Sequence, residues 1–187
     1  RRGVCHLDAL RACPPADAYT LATLAHTQFS RTDDDVYATG SDDATIRVWR
    51  APADNTCDAT LLATLRGHKK RVNAVRWHPA AADVLASASA DGTIRVWAVD
   101  GRDEASACAA TLDCKEAVTD LSWSHDGVHL AAVSKDRMLR VWDARAGTAV
   151  AEQEALGGVK PMRVAWIPRT PFVLTTGFSK SADREVR

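Results

Sequence analysis

The sequence has no excess of either charge: its 187 residues carry 24 Lys+Arg against 24 Asp+Glu. A chain without net charge has no long-range pull toward a polyanion or an anionic membrane, so general nucleic-acid binding is set aside. Long apolar runs are missing too. Stretches such as VLASASA are too short and too interrupted to cross a bilayer, and the opening RRGVCHLDALRAC lacks the apolar core of a secretion signal. These absences predict an intracellular chain with no membrane insertion. The five cysteines, Cys5, Cys13, Cys57, Cys108 and Cys114, are odd in number and contain no C-x-x-C, which argues against a disulfide framework or a zinc knuckle and for free thiols. Cys57 and Cys108 are expected in loops between outer strands. The sequence also lacks the G-x-S-x-G of a hydrolase nucleophile elbow, and it shows no heptad repeat of a coiled coil.

What is present is a repeat. SDDATIRVW (41–49), SADGTIRVW (89–97) and SKDRMLRVW (134–142) are three versions of one phrase. From Trp49 to Trp97 is 48 residues and from Trp97 to Trp142 is 45, a period that signals a repeat architecture. Each tryptophan has an aspartate six positions before it, Asp43, Asp91 or Asp136, and a serine eight before it, Ser41, Ser89 or Ser134. A fourth copy, SADREVR (181–187), has Asp183 in register for a tryptophan at position 189. The chain therefore reads as truncated inside a strand, and its first and last units are expected to leave apolar faces and strand edges uncovered.

The local pattern is β throughout. Ile46 and Val48, Ile94 and Val96, Leu139 and Val141 alternate with polar neighbours at period two. A second strand, VYATGS, VLASAS or HLAAVS, precedes each phrase and joins it through Asp-Asp, Asp-Gly or Asp-Arg turns suited to a hairpin. Earlier still comes a strand ending in Phe29, Trp77 or Trp123, and a fourth, TLLATL or ACAATL, follows. Four short antiparallel strands per 45 to 48 residues describe a propeller blade.

These residues resemble the WD-repeat family. RGHKKRVNAVRWHPAAADVLASASADGTIRVW (66–97) has the full phrase, with Gly67-His68 placed 29 residues before Trp97, while Trp142-Asp143 is the one literal WD pair. The resemblance implies an all-β, WD-repeat β-propeller, incomplete, with about three and a half of an expected seven blades. The expected layout is an unassigned lead-in over 1–18, blades over 19–66, 67–113 and 114–156, and a truncated blade over 157–187. It further implies that His68, a strand serine (Ser87 or Ser89), Asp91 and Trp97 form a hydrogen-bonded structural tetrad, with Asp43, Trp49, Asp136, Trp142 and Asp183 as the corresponding repeat-defining residues. A buried indole N–H or imidazole without a partner costs about 1–3 kcal/mol. His26 and His125 are read as exposed. The same His, Asp and Ser are the side-chain types of a hydrolase triad, but Ser-x-Asp recurs in units that lack the histidine, so no active site is expected.

A narrower resemblance lies toward the C-terminus. KPMRVAWIPRTPFVLTTGFSKSADREVR (160–187) is similar to a blade of coronins, the actin-associated WD-repeat proteins, with their Pro-Met-Arg, Thr-Thr-Gly-Phe-Ser and widened Glu/Arg turn. LRGHKKRVNAVRWHP, SKDRMLRVWDAR and VAEQEA resemble coronin blades too. The pattern departs from the family where the Gly-His pair gives way to Asp113-Cys114 and Gly157-Gly158. The resemblance implies a non-enzymatic scaffold that binds actin filaments and helps to organise the actin cytoskeleton, in the cytoplasm and without a cofactor or metal. The alternative is a WD-repeat adaptor of another complex, such as a ubiquitin-ligase substrate receptor or an RNA-processing scaffold. Lys69, Lys70 and Arg71, in the loop before a strand, are the candidate contact to an acidic partner such as actin. Asp33, Asp34 and Asp35 are the acidic counterpart, read as a solvated loop.

Overall fold

The computed structural model describes residues 24–52, 59–99, 108–155, 161–178 and 184–186. Its elements are all strands. The first blade is β1 (Leu24–Phe29), β2 (Val36–Ser41), β3 (Ile46–Arg50) and β4 (Thr60–Leu65). The second is β5 (Val72–Trp77), β6 (Val84–Ser89), β7 (Thr93–Ala98) and β8 (Cys108–Asp113), and the third is β9 (Val118–Trp123), β10 (His129–Ser134), β11 (Met138–Asp143) and β12 (Thr148–Glu154). Of the fourth, β13 (Arg163–Trp166), β14 (Val173–Phe178) and β15 (Arg184–Val186) are described. Every sheet is an antiparallel meander in sequence order. The chain is thus an incomplete β-propeller whose inner strands β1, β5, β9 and β13 lie side by side from blade to blade. Cys108, which the sequence places both in the ACAATL strand and in the loop before it, is the first residue of β8, paired with Trp97. The lead-in over 1–18, Cys57, the Gly157-Gly158 pair and Asp183 lie outside the described residues.

Burial explains the strand sequences. A blade in the ring is packed on both faces, so its second strand must be narrow as well as apolar. All six residues of VYATGS in β2 are buried, as are five of six in VLASAS and HLAAVS. At Gly40 a Cβ would stand 2.8 Å from Val72 Cγ1 of the second blade, so the sheets meet there at backbone distance. One apolar layer, including Val36, Ile46, Val48, Val72, Val75, Trp77 and Trp97, joins the first blade to the second. Another, including Ile94, Leu112, Val118, Leu121, Leu130 and Trp142, joins the second to the third. A thinner layer of Ala131, Val133, Ala155, Met162 and Val164 reaches the fourth. The outermost β12 is exposed along its whole length.

Polar ties run between blades at the inner strands. The Trp77 indole donates to the Gln28 carbonyl (3.1 Å), and the Trp123 indole donates to the Arg76 carbonyl (3.1 Å). Arg76 donates to the buried Asp120 (3.0 Å), whose second oxygen accepts the Val164 N–H (3.2 Å). Arg76 also donates to His26 Nε2 (2.5 Å). His26 is therefore half-buried in an interblade contact, contrary to its expected exposure, because the repeat places it on the inner strand beside Arg76. Burial, with the Arg76 and Arg163 cations, lowers its pKa to about 4. His125 is exposed.

Candidate functional site

The serine and aspartate of each repeat close the turn between the second and third strands. Asp43 Oδ1 accepts the Thr45 N–H (2.9 Å), Asp91 Oδ1 the Thr93 N–H (2.9 Å) and Asp136 Oδ1 the Met138 N–H (3.1 Å). Ser41 and Ser89 accept the N–H of Asp43 and Asp91, and Ser134 donates to Asp136. The residue after each aspartate, Ala44, Gly92 or Arg137, has a positive φ of 66°, 86° or 67°. A side chain that caps the turn's N–H groups holds the backbone in this left-handed conformation.

In the second blade the turn aspartate is the end of a buried chain. The Trp97 indole donates to Ser87 Oγ (2.8 Å), Ser87 lies 2.7 Å from His68 Nε2, and His68 Nδ1 lies 3.0 Å from Asp91 Oδ2. With Ser87 donating to Nε2, His68 carries its proton on Nδ1 and donates it to the carboxylate. Burial pushes the imidazole below its ordinary pKa, against the pull of Asp91. Burial also opposes ionisation of Asp91, but the Lys69 N–H, Thr93 and His68 outweigh it and hold the carboxyl well below the usual range. The pair is a neutral imidazole bonded to a carboxylate. Ser89 takes no part in this chain. Its hydroxyl points to the Lys70 and Arg71 carbonyls, both 2.9 Å away, and so fastens the loop before β5. Ser87 is fully buried and both sides of its hydroxyl are engaged, so the Ser/His/Asp grouping presents no nucleophile to solvent.

The other two blades fill the same space differently. In the first, the Trp49 indole donates to Thr39 Oγ1 (3.0 Å), and Arg47 reaches Asp43 (2.9 Å). In the third, Ala132 stands where Ser87 does, and Arg140 donates to both Asp136 (2.7 Å) and Ser134 (2.8 Å). Glu152 adds a second carboxylate 2.8 Å from the same guanidinium. Cys114 occupies the histidine's place in the repeat, and burial pushes its thiol up to about 12. Trp142 Nε1 is buried without a well-aligned hydrogen bond among the described residues, the Cys114 sulfur being the polar group beside it. The arginine two residues before each tryptophan, Arg47, Arg95 or Arg140, is the signal that sequence reasoning passed over. In the second blade, where the histidine holds the aspartate, Arg95 instead covers the Trp97 ring and donates to Cys108 Sγ (3.7 Å).

Lys69, Lys70 and Arg71 are exposed on the loop that His68 and Ser89 anchor. Arg71 pairs with Asp42 of the preceding blade at 3.1 Å, while its two lysine neighbours form no ion pair among the described residues. Asp33, Asp34 and Asp35 are exposed on a loop at the other end of the strands, with Asp33 3.8 Å from Arg50. No group of three or more His, Cys, Asp or Glu side chains able to hold a metal occurs among the described residues. Nor is any helix among them long and apolar enough to cross a membrane.

The WD domain, G-beta repeat family matches residues 19–50, 59–98 and 106–143. The chain is 36% identical over 181 residues to the Coronin-like protein crn1 of Schizosaccharomyces pombe, covering 88% of this chain and 28% of that protein. It is 37% identical over 177 residues to the Coronin-like protein of Saccharomyces cerevisiae, covering 88% and 26%. The crystal structure of the WD40 domain of Toxoplasma gondii coronin superposes with a TM-score of 0.81 at 32% identity, over 88% of this chain and 43% of that one. The chain thus spans just over a quarter of the length of these yeast relatives. With the repeat, the blade topology and the relatives in agreement, the chain belongs to the WD-repeat family and is coronin-type within it.

Proposed function

We propose that this chain is part of the actin-filament-binding propeller of a coronin, acting in organisation of the actin cytoskeleton. The observation that supports it is the coronin likeness, which runs through sequence and fold together over 88% of the chain. The mechanism is binding to protein partners in the cytoplasm, without chemistry on a substrate. In this reading the blades are 19–66, 67–113, 114–156 and 157–187, and the chain from Trp97 through Ser87 and His68 to Asp91 is structural. Its task is to set the loop that displays Lys69, Lys70 and Arg71. A propeller suits this role because its loops are mounted on rigid, two-sided sheets and keep their relative positions on binding.

The test is cosedimentation of the complete protein with actin filaments at low and physiological salt. Pelleting that weakens as salt rises is expected for an electrostatic contact. Failure to pellet at low salt overturns the actin reading.

A further inference from the structure

The acids and the cations on one face of the propeller meet opposite fates. That face is built from the turns after β2, β6 and β10 and the loops before β5 and β9, and backbone N–H groups tie the loops and turns to one another. Lys69 N–H donates to Asp91 Oδ2 (2.8 Å), Cys114 N–H to the Gly92 carbonyl (2.8 Å) and Lys135 N–H to the Ala117 carbonyl (2.9 Å). The turn aspartates Asp43, Asp91 and Asp136 are each paired within the fold, with Arg47, with the His68 network and with Arg140. The cations do not. Lys69, Lys70, Lys115 and Lys135 are exposed and Arg137 is half-exposed, all without an ion pair among the described residues. Lys115 and Arg137 sit at positive φ, 66° and 67°, at the tips of tight turns. The acids left outward are Asp42, which bridges to Arg71, Glu116, and Asp113 and Glu154 at the ends of outer strands. On the loops of the opposite face Asp33, Asp34, Asp35, Asp83 and Asp126 are exposed beside the arginines Arg31, Arg145 and Arg169. Among the described residues every lysine thus stands on the first of these faces.

We infer that the face formed by these turns across the first three blades docks an acidic protein surface, with Lys115, Lys135 and Arg137 continuing the contact begun by Lys69 and Lys70. This deepens the binding function proposed above and rests on it. Cations mounted on a hydrogen-bonded backbone need no loop ordering on binding, and their charge favours a complementary acidic surface. The large apolar side chains exposed on loops, Val128, Ile167 and Phe172, stand on the opposite face, so this face has nothing of that kind to insert into lipid. Asp42 and Glu116 interrupt the cations, a mixed pattern that suits a protein surface better than a uniform polyanion.

The test compares the complete wild-type protein with three variants. One carries K69E and K70E, the second K115E, K135E and R137E, and the third, a control on the opposite face, R31E and R145E. Each is measured for cosedimentation with actin filaments and for binding to a polyglutamate-coated sensor at low salt, with far-ultraviolet circular dichroism to verify folding. Each variant of the cationic face is expected to lose about tenfold in affinity for both probes and part of the salt dependence, with the control unchanged. Polyglutamate binding that only the cationic-face variants lose, together with wild-type protein that does not pellet with filaments, supports the face and overturns the actin reading. Unaltered binding of the K115E/K135E/R137E variant to polyglutamate overturns the inference. So does an equal loss in the control, or tighter capture by phosphatidylserine vesicles than by polyglutamate.

Discussion

The second and third blades have the same strands in the same register, yet their polar centres differ. Trp97 and Trp142 end the same phrase and are both buried, at 1% and 9% exposure. Trp97 donates into Ser87, His68 and Asp91, while Trp142 has Ala132 and Cys114 in the matching places. The third blade offsets the loss by swinging Arg140 onto Asp136, Ser134 and Glu152. What is common to both blades is the aspartate that closes the turn, and what varies is the side chain that neutralises it. The fold thus depends on a satisfied turn carboxylate and a packed indole. The histidine is one of two ways to meet the first need.

The largest effect separates the two centres directly. Removing His68 by H68A leaves the Ser87 hydroxyl and one side of Asp91 unpaired in a buried site, and should destabilise the complete protein by about 1–3 kcal/mol. C114A removes one thiol that accepts no well-aligned bond, and should cost about 1 kcal/mol or less. H125A, at an exposed loop position, should stay within about 0.5 kcal/mol. Urea denaturation midpoints measure all three, and a C114A loss equal to that of H68A would erase the distinction between the blades.

Acid should also tell them apart. The folded pKa of His68 lies below its unfolded value, so below about pH 6.5 the unfolded state binds the extra proton and stability falls with pH. His26 adds to the same trend, its contribution being lost between its unfolded value and about 4. Asp91 and Asp136, both lowered, hold until the pH falls through the carboxylate range. The third blade has no histidine in its centre, so from pH 7 to 5 its Arg140–Asp136 pair is unaffected. Thermal midpoints across that window should decline less steeply in H68A and in H26Q than in wild type, and parallel slopes would contradict the neutral assignment of both imidazoles.

The smallest effect tests whether the third centre is incomplete. Ala132 pairs with Arg140 as Ser87 pairs with Arg95, so A132S places a hydroxyl within reach of the Trp142 indole. The expected gain is about 0.5–1 kcal/mol in the urea midpoint, the net value of one buried hydrogen bond. A loss of similar size would mean that the Cys114 thiol already satisfies that indole.

Most of the architecture was legible in the sequence because its signals are local. The period-two alternation of IRVW and LRVW, the Asp-containing turns and the 45- to 48-residue period state strands, hairpins and blades without reference to distant residues. Cys108 stands at the edge between loop and strand in the sequence, and its pairing with Trp97 decides for the strand. His26 was misjudged because its exposure depends on Arg76 of the next blade.

By itself the sequence determined the repeat, the turn aspartates, the buried tryptophans and the coronin-like segments, since each is written in adjacent or regularly spaced residues. It could not choose between Ser87 and Ser89, because residues two apart on a strand face the same way. The hairpin register decides: Leu85 lies opposite Trp97, so Ser87 is its diagonal neighbour and within reach of the indole, whereas Ser89 lies a further two residues along the strand and meets the loop before β5. Nor does a balanced count of 24 cations and 24 acids say where each points. Only tertiary structure set the partners: each hairpin folds Arg47 or Arg140 back onto the aspartate four residues before it, the loop before β5 brings His68 to Asp91, 23 residues later in the chain, and the lysines beside these turns are left in solvent, because a carboxylate drawn partly out of water must find donors.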